Sequence, residues 1–430
     1  MNEDQDPRIV VLDDDPTGTQ TVAGLPIVLT PDVQTLSTAA RQWAGPLWVL
    51  TNTRAMTWAE AQSYLAATVD RVHAVLGPSV RLVLRGDSTL RGHVLGEIDT
   101  LSVPGSVALF VPAFVEQGRV TIGGVHYVTL GNRRVEVATT EYARDPEFSY
   151  RTSDLVQWIA ERDPGRPAFG MPLKSLRDAG SSALADLLVT VPAQSVVVPD
   201  AETVADLTVI RDAWLEAQRR GRPVVLRCAS SMASVVTGMP PKPVDLAPVP
   251  GPVLVVCASY TSGATEQLAA LEGLEGLEGL EGVASHQIDL SQVLSVQPDA
   301  VNYCHNLARE VADSLQARRV TVLSTPRETL PHNLNFAAGE QIMSAVVSTV
   351  REIRGGFAAL VTKGGITSAR VARDALGVPI AYIRGQVLPG IPVWALGFPP
   401  DGAIDQVVIP GNVGQSTAIR EIVSQLTRLQ

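Results

Sequence analysis

The first apolar stretch of the chain ends in three consecutive carboxylates, and this junction constrains the fold more than any other feature. Residues 9–12 read Ile-Val-Val-Leu, and Asp13, Asp14 and Asp15 follow them directly, before a turn at residues 16–20. Such a run of apolar β-formers predicts a buried strand. In open α/β sheets, ligands bind at the carboxyl ends of the strands. Because adjacent like charges repel, three acids at that edge predict a metal, a base or a substrate hydroxyl that uses them; a solvated acidic turn is the alternative.

The rest of the first half alternates short apolar stretches with longer helical patterns. This alternation predicts a largely parallel sheet made of strand–loop–helix units. Strands are predicted at residues 9–12, 47–50, 80–84, 107–111, 196–198 and 224–227, and helices at residues 58–76 and 202–220.

A proline-rich stretch divides the chain of 430 residues. Residues 238–252 hold six prolines, which fix φ and remove backbone donors, so we interpret this stretch as a linker. We therefore predict an α/β protein of two α/β domains, residues 1–237 and 253–430, with largely parallel sheets and an interdomain active-site cleft. Second-domain strands are predicted at residues 253–257, 319–323, 357–361, 392–396 and 406–409, and helices from residue 264, at 336–354 and up to 376.

One segment of the second domain is a low-complexity repeat. Leu-Glu-Gly occurs four times over residues 271–282. A three-residue period does not match a helix face, and glycine at every third position weakens a helix. We predict an extension at the end of a helix, without a function of its own.

Charge and cysteine usage exclude several classes of protein. The formal net charge is −10 and no run of Lys and Arg forms a basic face, which argues against a nucleic-acid partner. Cys228, Cys257 and Cys304 are far apart and odd in number, which argues against a disulfide framework or a zinc site. No secretory signal or apolar stretch of membrane-spanning length is apparent, so we expect a cytoplasmic protein with no membrane partner.

Two loops of the first domain carry residues suited to binding an anion. Residues 85–93 contain Arg85, Asp87 and Arg91, and a pair of arginines can hold a carboxylate through bidentate hydrogen bonds. Arg119 follows a glycine at the end of residues 112–119 and could reach the same anion. An internal Arg–Asp pair within the first loop is the alternative. A hairpin is predicted from residue 123 to residue 127.

Three loops of the second domain are rich in glycine and hydroxyl groups, and each follows a predicted strand. They span residues 258–265, 363–368 and 410–414, and the first two lead into helices. Backbone N–H groups at a helix N-terminus favour an anion, so the three loops together predict a phosphate-binding site. It is not a Walker A loop, because no G-x-x-x-x-G-K-[ST] occurs in the chain.

These loops, in this order, resemble those of the four-carbon acid sugar kinase family. The family motif Asp-Asp-x-Thr-Gly matches residues 14–18, Asp-Ser-Thr-Leu-Arg-Gly matches 87–92, and Pro-Ala-x-x-x-x-Gly-Arg matches 112–119. A Gly-Val-x-Tyr hairpin matches residues 124–127, the family's Gly-Gly-Glu-Thr loop is similar to residues 364–367, and its last glycine loop is similar to 411–414. The family glutamate is Ile366 here, and the acidic opening loop suggests a subgroup whose substrate could differ from threonate or erythronate, with oxo and branched acid sugars among the candidates.

The resemblance implies a sugar-binding first domain, a nucleotide-binding second domain, and phosphorylation of a terminal hydroxyl of a short acid sugar by ATP with Mg²⁺. Asp14 or Asp15 would accept the hydroxyl proton, and Arg91, with Arg85 and Arg119, would hold the substrate carboxylate near Asp87. The oligomeric state stays open, a homo-oligomer included, as do the metal ligands. The residues expected to bind the nucleotide are Ser259, Lys363, Gly364, Gly365, Thr367, Gly411 and Asn412.

Two other interpretations remain at this point. Asp13 and Asp15, with Thr17, also fit the motif of the haloacid-dehalogenase phosphatases, in which Asp13 would be the nucleophile and Asp15 an acid/base. A non-enzymatic sensor of acid sugars would bind the ligand without turnover.

Overall fold

The computed structural model describes residues 7–131, 133–272, 283–294, 299–327, 336–397, 404–411 and 413–427. Its strands are β1 Ile9–Asp13, β2 Leu25–Val28, β3 Leu47–Leu50, β4 Arg81–Arg85, β5 Val107–Val111, β6 Val120–Ile122, β7 Val125–Leu130, β8 Arg133–Glu136, β9 Ala168–Met171, β10 Val196–Pro199, β11 Val224–Cys228, β12 Val253–Cys257, β13 Ala284–Gln287, β14 Val320–Ser324, β15 Ala359–Lys363, β16 Ile380–Leu388, β17 Ile391–Leu396 and β18 Ile404–Ile409. Its α-helices are α1 Val33–Gln42, α2 Trp58–Leu76, α3 Val94–Leu101, α4 Leu155–Arg162, α5 Leu173–Thr190, α6 Val204–Arg219, α7 Ser230–Thr237, α8 Ser262–Glu272, α9 Leu290–Val293, α10 Asp299–Ala317, α11 Phe336–Glu352, α12 Gly365–Arg370 and α13 Ala418–Thr427.

The predicted α/β class is confirmed, and the strand positions follow the apolar pattern closely. Strands β3, β5 and β12 and helix α2 have the predicted bounds, and the other predicted strands differ by one or two residues at their ends. The predicted helix up to residue 376 is α12 followed by a turn of π-helix at Val371–Ala375. Most of the Leu-Glu-Gly repeat, residues 273–282, lies outside the described residues.

The chain forms two compact units, and the first comprises the described residues of Met1–Thr21 and Pro31–Pro240. Its sheet has the order β3-β1-β4-β11-β5-β10-β9, and all of these pairs are parallel. Asp13 pairs with Leu50 on one side and with Arg85 on the other, and Arg85 pairs with Cys228. The carboxyl ends of four adjacent strands therefore lie at one level, which is where the acidic loop begins.

A small antiparallel sheet, β6-β7-β8, also belongs to the first unit and confirms the predicted hairpin. Gly123 and Gly124 form its turn with φ of 62° and 79°, a conformation that favours glycine. The carboxylate of Asp200 accepts hydrogen bonds from both of their amides at 2.7 and 2.9 Å. The turn is thus fixed to the end of β10.

The second unit comprises Val22–Thr30 and the described residues of Pro241–Gln430. Five parallel strands, β13-β14-β12-β15-β18, continue into the antiparallel strands β17, β16 and β2. One face of this sheet packs against α8 and α13, and the other against α9, α10 and α11. None of the described helices is both long and apolar enough to span a bilayer.

Strand β2 is one of the strands that sequence reasoning did not find, together with β8, β9, β13 and β16. The linker prediction assigned residues 22–30 to the first domain, whereas in the structure they belong to the second unit. All four residues of β2 are buried, and β2 pairs antiparallel with β16, with Ile27 opposite Ala381. A four-residue apolar stretch carries no signal of its distant partner, because strand pairing is set by tertiary contacts.

Candidate functional site

Five acids and five arginines of the first unit meet near the carboxyl ends of β1, β3, β4 and β11. Most of these side chains are buried, so each charge has to be paired to be tolerated. The carboxylate–arginine cluster, as we call it, consists of Asp13, Asp14, Asp15, Asp87, Glu97, Arg54, Arg85, Arg91, Arg119 and Arg227.

Asp13 is completely buried and is the innermost of the three consecutive acids. Its carboxylate accepts hydrogen bonds from Trp48 Nε1 at 2.5 Å and from Arg85 Nη1 at 2.9 Å. Burial raises the pKa of Asp13 to about 6, and Arg85 opposes the rise. A Cβ at Gly18 would lie 2.0 Å from Asp13 Oδ2, so only glycine allows the chain to pass this close. With no exposed surface and both oxygens bonded, Asp13 cannot be the nucleophile that the phosphatase alternative needs, and that alternative is wrong.

Asp14 belongs to a buried triad with Arg227 and Glu97. Arg227 Nη2 donates to Asp14 Oδ2 at 2.9 Å, and Arg227 Nη1 lies 3.2 Å from Glu97 Oε2. Burial raises the pKa of Glu97, Arg227 lowers it, and Asp14 raises it further. Asp14 Oδ1 is buried and has no hydrogen-bond partner among the described residues. Two carboxylates therefore share one guanidinium group inside the protein.

Asp15 is the most exposed of the three consecutive acids. It forms an ion pair with Arg54 and accepts a hydrogen bond from the amide of Thr17 at 2.7 Å. The Thr17 hydroxyl also donates to it. The side chain keeps 12% of its accessible surface, and that of Arg54 keeps 20%. Of the two acids predicted to be catalytic, Asp15 is therefore the more accessible.

The loop after β4 contains an ion pair, as the alternative interpretation of this loop predicted. Arg91 Nε donates to Asp87 Oδ2 at 2.7 Å. Burial alone would raise the pKa of Asp87, but Arg91, Arg54 and Arg119 together hold it far below its usual range. Leu90 between them has φ of 66°, an unusual conformation for leucine that the loop imposes.

Arg91 and Arg119 lie over the same aromatic ring. Their guanidinium carbons are 5.3 and 5.7 Å from the centroid of Tyr142. Arg119 Nη1 donates to Ser88 Oγ at 2.6 Å, but within the described part of the chain it has no carboxylate within 4 Å. Arg91 additionally lies 3.6 Å from Asp145. The pair thus includes one cation that lowers the pKa of Asp87 without forming an ion pair within 4 Å among the described residues.

Arg85 does not lie with Arg91 and Arg119 but beside the buried Asp13. Its side chain is 4% exposed and donates to Asp13, to the carbonyl of Asp15 at 3.3 Å and to Ser230 Oγ at 2.8 and 3.1 Å. A guanidinium group bonded in this way holds the acidic loop and has no surface left for a substrate carboxylate.

Sequence reasoning missed three members of the cluster. Arg54 follows β3 in a Thr-Asn-Thr-Arg stretch, and a polar loop after a predicted strand was a usable signal. Arg227 is a charge inside the apolar strand β11, which is rare unless the charge is paired. Glu97 lies on α3 and no local pattern distinguishes it, because its partner is 130 residues away.

His126 supports the same loop from the hairpin sheet. It is completely buried, its Nε2 lies 2.8 Å from the carbonyl oxygen of Ser88, and its Nδ1 lies 2.9 Å from Thr121 Oγ1. Burial lowers the pKa of His126 to about 4, so the ring is neutral at pH 7, donates to Ser88 and accepts from Thr121. This histidine is packed and serves as a support for the loop.

In the second unit, the loops after β12, β15 and β18 converge as predicted. A Cβ at Gly411 would lie 3.4 Å from Ser259 Oγ, and a Cβ at Gly364 would lie 3.6 Å from Ser259 Cβ and 3.1 Å from Thr367 Oγ1. Gly364 has φ of 107° and precedes α12, whose first residue is Gly365. Hydroxyl groups and bare glycine backbone therefore meet at the start of α12. Asn412 lies outside the described residues.

Lys363 is close to these loops, but its ammonium group does not face an open surface. Its Nζ donates to the carbonyl oxygens of Pro410 at 2.8 Å and Val413 at 3.1 Å. The residue is 1% exposed, and burial lowers its pKa to about 8. Ile366, two residues after Gly364, is 42% exposed.

Arg327 is a further residue of this region that the sequence did not single out. Its Nη1 donates to the carbonyl of Ser259 at 2.7 Å, and Nη2 donates to Thr325 Oγ1 at 2.8 Å. Its guanidinium group also lies 5.9 Å from the centroid of the exposed Tyr260 ring. In the described ranges, no group of three or more His, Cys, Asp or Glu side chains could hold a metal ion.

Comparison with family models assigns one domain family to each half of the chain. Residues 9–236 match the family described as a sugar-binding N-terminal domain. Residues 254–419 match the family described as a nucleotide-binding C-terminal domain.

Three named proteins are similar in sequence. A D-threonate kinase from Cupriavidus necator is 27% identical over 349 residues, 77% of this chain and 76% of that protein. A D-threonate kinase from Bordetella bronchiseptica is 29% identical over 369 residues, 84% of both chains. A D-erythronate kinase from Heliobacterium modesticaldum is 32% identical over 173 residues, 39% of this chain and 38% of that protein.

Two solved structures share the fold. A protein from Salmonella typhimurium aligns with a TM-score of 0.71 at 18% identity, over 98% of this chain and all of that one. A DUF1537 protein from Haemophilus influenzae aligns with a TM-score of 0.62 at 16% identity, over 97% of this chain and all of that one.

Proposed function

The chain belongs to the four-carbon acid sugar kinase family, and on that premise we propose that it transfers the γ-phosphoryl group of ATP to a hydroxyl of a four-carbon acid sugar. The relatives named as D-threonate and D-erythronate kinases support this class of acceptor. The observation that carries the proposal is that one cluster contains both an accessible acid, Asp15, and an arginine, Arg119, that has no carboxylate within 4 Å among the described residues. An acid sugar presents the complementary groups, a hydroxyl and a carboxylate.

In the first unit, Arg119 and Arg91 bind the substrate carboxylate. The Arg91 side chain keeps 27% of its accessible surface, Arg119 is half-buried, and both guanidinium groups lie against Tyr142. Asp87 stays ionised beside them and keeps Arg91 in place. Bidentate hydrogen bonds to a carboxylate select acids against neutral sugars of the same size.

Asp15 accepts a hydrogen bond from the substrate hydroxyl and orients it, which is the task of the acid in phosphoryl transfer. The oxygen of that hydroxyl forms the new bond to phosphorus, the bond from phosphorus to the β-phosphate oxygen breaks, and ADP leaves. The hydroxyl proton passes to Asp15 or to solvent. Asp14, Asp13 and Arg85 hold the acidic loop and do not touch the substrate.

In the second unit, backbone amides and hydroxyl groups are suited to bind a nucleoside triphosphate. Glycines allow close approach of the backbone where Gly411 and Gly364 lie beside Ser259. The N-terminus of α12 contributes its amides and its dipole. Mg²⁺, when bound with the nucleotide, neutralises phosphate charge, and we assign it to the phosphates. The residues proposed to hold the nucleotide are Ser259, Gly364, Gly365, Thr367, Gly411 and Asn412.

The proposal is tested by measuring ADP release from ATP with a panel of four- and five-carbon acid sugars. The panel contains both epimers, D-threonate and D-erythronate, with oxo and branched analogues and the corresponding neutral alcohols. ADP release that depends on an acid sugar and yields its phosphate is expected. Binding of an acid sugar without turnover would instead support the sensor alternative.

Arg119→Met tests the carboxylate site directly. We expect its KM for the acid sugar to rise roughly 10–100-fold, since a hydrogen-bonded ion pair is lost, with the KM for ATP unchanged. The control is Arg134→Met, because Arg134 is half exposed and pairs only with Glu202 among the described residues. An unchanged KM for the acid sugar in Arg119→Met would contradict the assignment.

A further inference from the structure

The loop after β18 has its backbone carbonyl oxygens bound by side chains from elsewhere in the second unit. Gln267 Nε2, on α8, donates to the carbonyls of Val413, Gly414 and Gln415 at 3.2, 3.2 and 3.0 Å. Lys363 Nζ, at the end of β15, donates to Val413 and to the carbonyl of residue 410 at 3.1 and 2.8 Å. Two donors therefore hold four carbonyl groups of one short loop.

A third donor completes the pattern at the glycine of this loop. Thr261 Oγ1 donates to the carbonyl of Gly411 at 2.7 Å. All described carbonyl groups of residues 410–415 thus have a side-chain donor. A carbonyl oxygen near a phosphate repels it, whereas an amide attracts it, so the direction of these peptide groups decides whether the loop can bind an anion.

Lys363 and Gln267 are each only 1% exposed, and burying a charged and a polar side chain costs free energy of folding. A buried ammonium group is normally paired with a carboxylate, yet Lys363 has carbonyl groups as its hydrogen-bond partners. The other lysines of the chain, Lys174 and Lys242, are exposed. A buried cation behind a glycine loop adds positive potential on the side where the loop binds its ligand.

We propose that Lys363 and Gln267 are positioning residues for the nucleotide, which hold the carbonyls of the loop inward so that its N–H groups face the phosphates, except that of Val413, which donates to the carbonyl of Pro410 at 3.2 Å. This assignment rests on the proposed function. Lys363 acts through the loop and makes no contact with ATP, in contrast to the direct role that its glycine-rich surroundings suggest in the sequence.

The charge of Lys363 gives the arrangement a measurable pH dependence. Burial lowers the pKa of Lys363 to about 8, and Cys257 on the neighbouring strand opposes this slightly. Arg327, a second cation, lies 3.7 Å from Cys257 Sγ. As the pH rises through 8, the ammonium loses its proton and the loop loses the cation behind it. ATP binding to the wild type is therefore expected to weaken between pH 7 and pH 9.

The test compares wild type, Lys363→Met, Gln267→Leu and the double variant, with ATP and ADP binding measured by calorimetry and steady-state kinetics at pH 7 to 9. We expect each single variant to bind ATP roughly 10–100-fold more weakly, with the KM for the acid sugar within about threefold of wild type. Lys363→Met should lose the decline in affinity above pH 7. The surface variant Lys174→Met should match the wild type.

The double variant separates a positioning role from direct contact. Because both residues act on the same loop, their effects should be less than additive, whereas a lysine that touches phosphate would add its effect to that of Gln267→Leu. Additive effects, or wild-type affinity and pH dependence in Lys363→Met, would overturn the assignment while leaving the kinase proposal intact. Failure of the wild type to bind ATP or ADP would overturn the proposed function and this assignment together.

If Lys363→Met does not fold, the wild-type pH dependence and Gln267→Leu still decide the matter. A wild-type ATP affinity that is constant from pH 7 to 9 would contradict the role of the cation. Wild-type affinity in Gln267→Leu would contradict the role of the loop carbonyls.

Discussion

Replacement of Arg227 by methionine should destabilise the first unit strongly, and more so at high pH than at low pH. Arg227, Asp14 and Glu97 are each at most 2% exposed, and the guanidinium lies 2.9 Å from one carboxylate and 3.2 Å from the other. Methionine fills a similar volume but leaves two buried carboxylates without a cation. Breaking a buried pair in this way costs about 3–5 kcal/mol. For a unit of this size we expect Tm to fall by roughly 10 °C.

The pH dependence follows from the sign of the change in the pKa of Glu97. Burial and Asp14 raise the pKa of Glu97, and Arg227 opposes them, so removing Arg227 raises it further. A carboxyl group whose pKa is higher in the folded than in the unfolded state loses stability as the pH rises above the unfolded value. The penalty of Arg227→Met should therefore be smaller at pH 5 than at pH 8, because the folded variant can take up a proton at pH 5.

The assay is thermal or urea unfolding at pH 5 and pH 8, with Arg227→Met beside Arg227→Met/Glu97→Leu. Removing Glu97 as well eliminates one uncompensated charge, so the double variant should be more stable than the single one at pH 8. Arg220→Met is the control, because its ion pairs with Asp186 and Glu216 are at the surface and are worth at most about 1 kcal/mol. A penalty for Arg227→Met below about 1 kcal/mol, or one independent of pH, would refute the reasoning.

Three further predictions concern other parts of the first and second units. Asp15→Asn should lower kcat by roughly 10²–10⁴-fold with unchanged ATP affinity in calorimetry, and normal turnover would remove Asp15 from the chemistry. Gly18→Ala should lower the free energy of unfolding by about 1–3 kcal/mol, measured by thermal unfolding, because its Cβ would lie 2.0 Å from Asp13 Oδ2. Its control is Gly339→Ala in α11, where an added Cβ would have no atom within 4 Å, and this variant should be slightly more stable than wild type. Because the pKa of His126 is lower in the folded than in the unfolded state, the free energy of unfolding decreases as the pH falls from 6.5 towards 4. In urea unfolding, the difference in that free energy between wild type and His126→Gln should therefore shrink by about 3 kcal/mol across this window. A constant difference would contradict this prediction.

The sequence by itself identified the loops to which we assign the chemistry. An apolar run that ends in polar residues predicts both a strand and the place where ligands bind, because strand ends and ligand sites coincide in parallel sheets. Asp15, Arg91 and Arg119 were found in this way, and so were Ser259 and Gly364. Local patterns suffice for these residues because the strand and its loop are adjacent in the chain.

Only the tertiary structure decided which candidate could meet a substrate. Arg85 and Arg119 are equivalent in the sequence, each a cation in a loop or at a strand end, but Arg85 is enclosed by Asp13 and Ser230 whereas Arg119 has no carboxylate partner in the described residues. Lys363 stands next to two glycines, yet its ammonium group is directed at backbone carbonyls. The burial and ion pairing of these side chains depend on residues far away in the chain, so no local sequence pattern predicts them.

The same limit explains the remaining differences between prediction and structure. Glu97 meets Arg227 from 130 residues away, and β2 pairs with β16 more than 350 residues further along the chain. The sequence determined where strands end and what charges stand there, since those properties are local. The fold alone determined which charges neutralise each other and which are left for a ligand. Ion pairing depends on the distance between charges in space and not on their separation along the chain.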